Sequence, residues 1–335
     1  MKINNHYVPK TYLKQWATET KIYEYALLVP HKDIPKWKEA SISRTSSINS
    51  LYLYYDEGDM NDEMEDYFSE EFEMKYNSFI MKVNSHLLLD ESDNEYISKL
   101  VACQHIRTLN GFLMVQEMIT KDFNKMAEGV VSKMEKEFHE TGTLAVKNET
   151  EHSNFIPLKV DINKDDNQQA KLEIQGYAGK SLWIYAIKHL LSSTYKILNN
   201  VSWCIYDAPP NFSWATTDDP VIFLNYYGKD DYDFKGGWGI ENTNIIFPLS
   251  PKKLLFAEVG KNQKNYGIAT YSFANSIQKY IVEHAYSKVY SNEKCHRITK
   301  IRKRTIDEKL FTEFTNSLKM IHENYINNEV PYLKK

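Results

Sequence analysis

The sequence has few residues of the kinds that build covalent frameworks or flexible linkers. Its three cysteines stand at positions 103, 204 and 295, and no two of them form a CxxC pair. This spacing excludes a disulfide framework and a thiolate zinc site, and it favours a reducing compartment. The 12 glycines and 10 prolines in 335 residues argue against long flexible linkers.

Several other signals are missing. The N-terminus lacks a basic segment followed by an apolar run, and no window approaches eighteen uninterrupted apolar residues. We therefore expect a cytoplasmic protein without a membrane partner. No HxH, HExxH or GxSxG spacing occurs, and KGGWG (235–239) lacks the lysine and hydroxyl of a phosphate-binding loop, so no nucleotide cofactor motif is present.

The composition is that of a globular protein, with 42% hydrophobic, 26% charged and 13% aromatic residues. The formal net charge of −4 argues against general binding of nucleic acid, so any contact with a polyanion would have to be local. The length allows one large domain or two small ones.

Helical patterns dominate residues 60–200. The acidic run Asp56–Glu73 is typical of a helix start, where negative charge is favourable. Apolar residues then recur at helical spacing, at Met64, Phe68, Phe72, Tyr76, Phe79 and Val83, and the spacing places Glu71 on the same side. A second helix is predicted from Glu95 past Lys125.

Short β-type runs separated by turn residues dominate 201–290. Within this range, Tyr271–His284 shows helical spacing. These patterns predict an α+β fold. Long helices of the first half would pack on a mostly antiparallel sheet built largely from the second half. We expect one domain over 1–290, with a basic strand and a C-terminal amphipathic helix over 291–335 packed on it.

Two polar residues interrupt the apolar face of the helix that contains ACQHIRT. At about 100° per residue, Gln104 lies near the middle of that face and Arg107 one turn on. A buried guanidinium needs an acceptor or a counter-charge. Either the two residues hold the helix to a loop, or they line a pocket in which Arg107 binds an anionic group.

The segment SWATTDDPV (213–221) is a second anomaly. Thr216, Thr217, Asp218 and Asp219 follow a strand-like start, and Pro220 disfavours helical geometry at Asp219. Hydroxyls and carboxylates at a strand end suit catalysis or metal binding, but they also suit hydrogen bonds to the backbone of a turn.

One basic patch stands out in the acidic chain. It could follow a phosphate backbone, or it could be a solvated strand edge. Its members are Arg297, Lys300, Arg302, Lys303 and Arg304.

Five motifs in a fixed order carry a resemblance to a known family. They are NHYVPKTYLKQW near the N-terminus, ACQHIRT, WATTDDPV, IFPLSP and a helical segment led by Asn275. The chain resembles a bacterial family catalogued as domain of unknown function 4238, over about residues 4–290. The family signatures are similar to HHYVPxxYLxxF, QxxRTP and FxTSDxP.

The chain departs from those signatures at four positions. Asn5 replaces the first His of the pair, Leu109 replaces the proline, Trp214 replaces Phe and Thr217 replaces Ser. Leu109 in place of proline would let the helix continue, and Asn5 argues against any mechanism that needs two imidazoles. The resemblance supplies candidate residues but no reaction.

The resemblance implies one polar pocket assembled from distant motif residues. These are His6, Gln104, Arg107, Thr216, Asp218 and Asn275, with Thr217 and Glu71 nearby. In this interpretation, the aromatic N-terminal segment delivers His6 to the pocket.

The leading hypothesis is a hydrolase acting on phosphodiester bonds, with nucleic acid as its partner and substrate. His6 would be the general acid or base, Arg107 would stabilise the phosphorane, and Asp218 would orient His6 or, with Glu71, hold a divalent metal such as Mg²⁺ or Mn²⁺. A toxic or antiviral role would suit such an enzyme, with a separate regulatory protein as a further partner.

The first alternative is a binding module for a nucleotide, peptide or phage component. The second is a buried ion pair between Arg107 and Asp218.

Overall fold

The computed structural model describes residues 4–56, 58–141, 158–164 and 170–333. The helices are α1 Lys10–Leu13, α2 Glu63–Phe68, α3 Met74–Asn84, α4 Glu91–Ile106, α5 Leu109–Thr141, α6 Lys180–Ser192, α7 Tyr271–His284, α8 His296–Ile301, α9 Glu308–Asn324 and α10 Val330–Leu333. Short 3-10 segments at Lys14–Trp16 and Thr194–Asn200, and π-helical segments at Ser69–Glu73 and Tyr325–Glu329, extend or join some of them.

The strands are mostly short. They are β1 Asn4–His6, β2 Lys21–Ala26, β3 Leu28–Val29, β4 Lys38–Ser41, β5 Ser47–Asn49, β6 Tyr54–Asp56, β7 Asp59–Asn61, β8 Leu158–Lys164, β9 Ala170–Gly176, β10 Cys204–Asp207, β11 Thr216–Thr217, β12 Ile222–Gly228, β13 Asp231–Asp233, β14 Thr243–Ser250, β15 Lys253–Glu258, β16 Tyr266–Ile268, β17 Lys288–Ser291 and β18 Thr305–Ile306.

The largest sheet has six strands in the order β13-β12-β14-β15-β10-β16. All of its strands come from the second half of the chain, and all pairs are antiparallel except β10 with β16. The α+β class and the mostly antiparallel sheet of the second half are therefore confirmed.

A second sheet combines the two ends of the chain. Its order is β11-β17-β2-β4, so β17 at residues 288–291 pairs with β2 on one side and with β11 on the other, and β4 pairs with β2. This sheet brings the turn after β11 next to the segment that joins α7 to β17.

The predicted apolar stripe of the first long helix is buried, from Met64 to Val83. The prediction that Glu71 lies on this side is wrong, because its side chain is 38% exposed and pairs with Lys75. The π-helical segment Ser69–Glu73 widens one turn. Apolar residues four apart therefore stay in line, and Glu71 turns outward.

The main hydrophobic core includes side chains from Tyr7 to Val330 and receives residues from α3, α4, α6, β14 and β15. The C-terminal helical segment contributes Tyr325 and Val330 to this core. The basic strand predicted over 296–304 is wrong: that stretch begins with the helix α8, and β18 follows only at Thr305.

The single helix predicted through residues 95–125 is two helices. Arg107 ends α4, and Thr108 separates it from α5, whose Gly111 N–H reaches the Thr108 hydroxyl at 3.1 Å. Leu109 therefore does not let the helix continue. A Cβ at Gly111 would overlap the carbonyl oxygen of Ile106 and lie 2.8 Å from that of His105. A close corner of this kind needs glycine.

Candidate functional site

The N-terminal segment is held from two sides, beginning with its backbone. β1 pairs with β5, so that His6 lies opposite Ser47, and the N–H of Tyr7 donates to the carbonyl of Ser46 at 3.0 Å. The side chains of His6 and Tyr7 are both buried. The segment is therefore part of the interior and not a free arm.

Gln104 and Arg107 bind the backbone of this segment. Gln104 Nε2 donates to the carbonyl of Tyr7 at 3.2 Å, and Arg107 Nη2 donates to the carbonyl of His6 at 2.6 Å. The Arg107 guanidinium also lies over the Phe68 ring at 4.1 Å, and its Nη1 is 3.5 Å from a carboxylate oxygen of Glu73. The guanidinium is fully buried, so its contacts are internal.

His6 lies in a poor environment for a proton carrier. Burial, together with the charges of Lys10 and Arg107, lowers the pKa of His6 to about 4. Within the described part of the chain, His6 Nε2 has no hydrogen-bond partner. The ring is therefore neutral near pH 7 and enclosed by protein.

The hydroxyls after Trp214 hold turns and the N-terminal segment. Thr216 Oγ1 lies 2.6 Å from the Tyr12 hydroxyl, which donates to the carbonyl of Pro248 at 2.7 Å. Thr217 Oγ1 accepts from the N–H of Asp219 at 3.2 Å.

Asp218 closes the loop between α7 and β17. Its carboxylate accepts from the N–H groups of Tyr286 and Ser287 at 3.0 and 2.8 Å and from the Ser287 hydroxyl at 2.5 Å. Burial raises the pKa of Asp218 to about 6, against the hydrogen bonds that lower it. The ion pair between Arg107 and Asp218 is not formed, because Glu73 faces Arg107 and the 286–287 loop faces Asp218.

The other expected pocket members lie elsewhere. Asn275 is exposed and accepts a hydrogen bond from Arg297. Glu71 pairs with Lys75 at 3.0 Å on the surface. Among the residues that the structure describes, no group of three His, Cys, Asp or Glu side chains is arranged to hold a metal ion.

The basic segment divides into anchoring and exposed members. Arg302 donates to the carbonyls of Glu283 and Ala285, and Arg304 donates to carbonyls of the 32–35 loop. Lys300 and Lys303 are exposed, as is Arg297.

The structure reveals a polar cluster that the sequence did not single out, around Asp219. Its carboxylate accepts from Asn110 Nδ2 at 2.8 Å and lies 3.2 Å from Thr108 Oγ1. His284 Nδ1 lies 3.6 Å from the carboxylate and 3.1 Å from the Asp219 carbonyl oxygen. We call Asp219, His284, Thr108 and Asn110 the Asp219 cluster.

The protonation of His284 follows from these contacts. A backbone carbonyl oxygen can only accept, so Nδ1 of the neutral ring carries the proton and Nε2 keeps its lone pair. Asp219 is 1% exposed, and the His284 side chain is mostly buried, with 12% of it exposed. Burial raises the pKa of Asp219, while His284, Asn110 and Thr108 lower it. Nδ1 of His284 therefore donates to the Asp219 carbonyl oxygen, and the carboxylate lies beside it at 3.6 Å, beyond hydrogen-bond distance.

Aromatic rings border the cluster. Phe234 packs on His284 with ring centroids 5.1 Å apart, and Trp238 packs on His105 at 6.2 Å. Burial, followed by the charge of His284, lowers the pKa of His105 to about 4. The glycine-containing loop 235–239 therefore places Trp238 against His105 and Phe223.

Weak sequence signals for this cluster existed. Thr108 follows Arg107 within the same motif, and Asp219 follows Asp218. Adjacent carboxylates at a strand end point in different directions, and only the positions of α7 and of the α4–α5 corner show which one faces a histidine.

Comparison with known families confirms the resemblance to domain of unknown function 4238. Residues 4–295 match the family described as Protein of unknown function (DUF4238). The chain belongs to this DUF4238 family. The match contains the whole Asp219 cluster, while Lys300, Lys303 and α9 lie beyond it.

No curated protein and no solved structure match this DUF4238 chain. Within the described ranges, no helix combines the length and apolar character needed to cross a bilayer.

Proposed function

We propose that this protein is a hydrolase acting on phosphodiester bonds, with His284 and Asp219 as its proton-transfer pair. The observation that carries the proposal is the imidazole of His284, which is 12% exposed and whose Nδ1 lies 3.1 Å from the Asp219 carbonyl oxygen and 3.6 Å from its buried carboxylate. His6 and Asp218 held these roles in the sequence hypothesis, but both are buried, and the Asp218 carboxylate is hydrogen-bonded to the 286–287 loop.

The chemistry requires only residues of the Asp219 cluster. His284 Nε2 takes a proton from water, the water oxygen attacks phosphorus, and the bond from phosphorus to the leaving oxygen breaks. The imidazolium then returns the proton to the leaving oxygen. Asp219 stabilises the imidazolium, and Thr108 and Asn110 keep the carboxylate in place.

The basic segment supports a nucleic-acid substrate. Arg302 binds the carbonyls on both sides of His284, so the segment 297–304 is docked beside the proposed centre. Lys300 and Lys303 are exposed there and can bind phosphates. A nuclease of this kind would suit a toxic or antiviral effector in the cytoplasm, and a protein that restrains it would be a partner to seek.

The second candidate is a module that binds a nucleotide without turnover. Trp238 and Phe234 beside His105 and His284 favour this alternative, since such rings stack on bases. Under this alternative, His284→Ala would change affinity, and no product would form with any variant.

The test is cleavage of duplex DNA, single-stranded DNA, transfer RNA and messenger-like RNA, each with Mg²⁺, Mn²⁺ or EDTA. We expect His284→Ala and Asp219→Asn to lower kcat by roughly 100-fold or more. The matched control is His189→Ala, because His189 is an exposed histidine outside the cluster.

Circular dichroism and urea unfolding would show that each variant is folded. Cleavage that survives His284→Ala but disappears in folded His6→Ala would overturn the assignment and restore His6. Absence of cleavage by the wild-type protein on the whole panel would place the binding module first.

A further inference from the structure

A polar groove lies on the sheet that joins the two ends of the chain. It has a volume of about 500 Å³ and is lined by side chains of β2, β4, β17 and the turn 41–45. Small-molecule sites have volumes of roughly 300–1,000 Å³. The groove is therefore large enough for a nucleotide-sized ligand and too small for a folded partner.

The acidic residues of the groove already have cationic partners. Glu24 lies 3.1 Å from Lys288 Nζ and accepts from the Thr45 hydroxyl at 2.6 Å. Glu39 lies 3.6 Å from Lys21 Nζ and accepts from Tyr23 at 3.3 Å. Lys288 therefore balances Glu24, whereas the more exposed Glu39 has a weaker, solvent-screened partner in Lys21.

Two cations of the groove are left over. Lys38 and Arg44 are exposed, and neither has an ion-pair or side-chain hydrogen-bond partner within the ranges that the structure describes. In a chain of net charge −4, this is a local excess of positive charge. Charge complementarity therefore favours an anionic ligand.

Hydroxyl donors lie between these cations along the chain. Ser41 and Ser43 line the groove, with their Oγ atoms 2.8 Å apart. A guanidinium, an ammonium group and hydroxyls are the donors that a phosphate group uses, and Arg suits it because its fork can bind two oxygens. A phosphate monoester carries about −1.5 to −2 charges at pH 7, so as a ligand it matches two free cations better than a singly charged carboxylate would.

We propose that this groove binds a small ligand that carries a phosphate monoester, with Arg44 and Lys38 as the ligands of the phosphate group. Ser41 and Ser43 would donate to the same oxygens, and the Glu24–Lys288 pair forms the floor beneath them. The site is separate from the Asp219 cluster, and the inference does not depend on the hydrolysis proposed there.

The test is isothermal titration calorimetry at low salt with AMP, ribose 5-phosphate and inorganic phosphate. Adenosine serves as the phosphate-free match of AMP. None of these probes contains a phosphodiester bond, so the titration measures binding even if the proposed hydrolase activity is absent. We expect AMP and ribose 5-phosphate to bind and adenosine not to bind detectably.

The variants are Arg44→Gln, Lys38→Gln and the double variant, which remove exposed charges without disturbing the core. Each single change is expected to weaken binding of AMP roughly tenfold or more. Lys309→Gln is the control, because Lys309 is 88% exposed on α9, away from the groove. The proposal fails if the wild-type protein binds none of the phosphates, if adenosine binds as tightly as AMP, or if the double variant keeps wild-type affinity.

Discussion

At the residue scale, Arg107 shows how a motif residue can serve the fold. Its guanidinium binds the carbonyl of His6, lies near Glu73 and packs on Phe68, while Gln104 holds the next carbonyl of the N-terminal segment. Of the two interpretations of these residues, the contacts favour the structural one, in which Gln104 and Arg107 hold the end of α4 to the N-terminal segment.

We expect Arg107→Ala to lower the free energy of unfolding by about 3 kcal/mol. The change removes the counter-charge of Glu73 and a donor to a buried carbonyl, and breaking buried pairs costs roughly 3–5 kcal/mol, reduced here because Glu73 is 20% exposed. Urea unfolding would measure the change, with Arg297→Ala as the exposed control. A loss below about 0.5 kcal/mol, the range of surface changes, would contradict the structural role.

The adjacent residues Asp218 and Asp219 also differ in whether they serve the fold or the candidate site. Asp218 accepts hydrogen bonds from the 286–287 loop, whereas Asp219 faces His284 and Asn110. Both are buried carboxylates, and only Asp219 lies beside a partly exposed imidazole. The two carboxylates are therefore distinguished by the groups that they contact and not by their residue type.

At the element scale, the corner between α4 and α5 positions both sides of the site. It directs Arg107 toward the N-terminal segment and Thr108 and Asn110 toward Asp219. The corner depends on Gly111, since a side chain there would overlap the backbone of α4.

Replacing Gly111 by alanine is expected to destabilise the protein by about 1–3 kcal/mol, the range for forced overpacking. Gly129→Ala is the matched control within the same helix, because nothing lies within 4 Å of a Cβ at that position. Alanine there should stabilise by roughly 0.5–1 kcal/mol through its higher helix propensity. Thermal unfolding of both variants would check the prediction, and equal effects of the two changes would refute the close corner.

At the scale of the whole molecule, Lys180 joins segments from distant parts of the chain. Its Nζ donates to the carbonyl of Ser50 at 2.6 Å and lies 3.2 Å from His322 Nδ1. Glu329 accepts from the backbone N–H groups of Lys180 and Ser181 at 2.8 Å, which ties the C-terminal segment to the start of α6. Burial lowers the pKa of Lys180 from 10.5 to about 7.

This lowered pKa predicts a pH dependence of stability. Between about pH 7 and 10.5 the unfolded chain binds more protons at Lys180 than the folded chain does. The free energy of unfolding should therefore rise with pH, by about 2.5 kcal/mol from pH 7 to pH 9, and this contribution is lost as pH falls through 7.

The measurement is urea unfolding from pH 6 to pH 9 for the wild-type protein and for Lys180→Met, which keeps the length of the side chain without its charge. The variant should lack this rise, whereas Lys309→Met, at an exposed position, should keep it. Parallel curves for the wild-type protein and Lys180→Met would contradict a buried amine with a lowered pKa.

The sequence by itself determined the class of the fold and several of its elements, but not the break between α4 and α5 or the helix α8. The predicted helix Tyr271–His284 has those bounds in the structure, because an amphipathic period with a capping Thr270 is local information. Strands β12, β14 and β15 and the helix of the C-terminal segment follow from local periodicity in the same way.

Only the tertiary structure decided which polar residues meet. Asp219 and His284 are 65 positions apart, and Arg107 and His6 are 101 apart. Whether a carboxylate faces a histidine or a loop depends on how two sheets and a helix corner pack, and this packing is non-local. The sequence could supply the residues of a site, but the choice between Asp218 and Asp219 required the positions of α7 and of the α4–α5 corner.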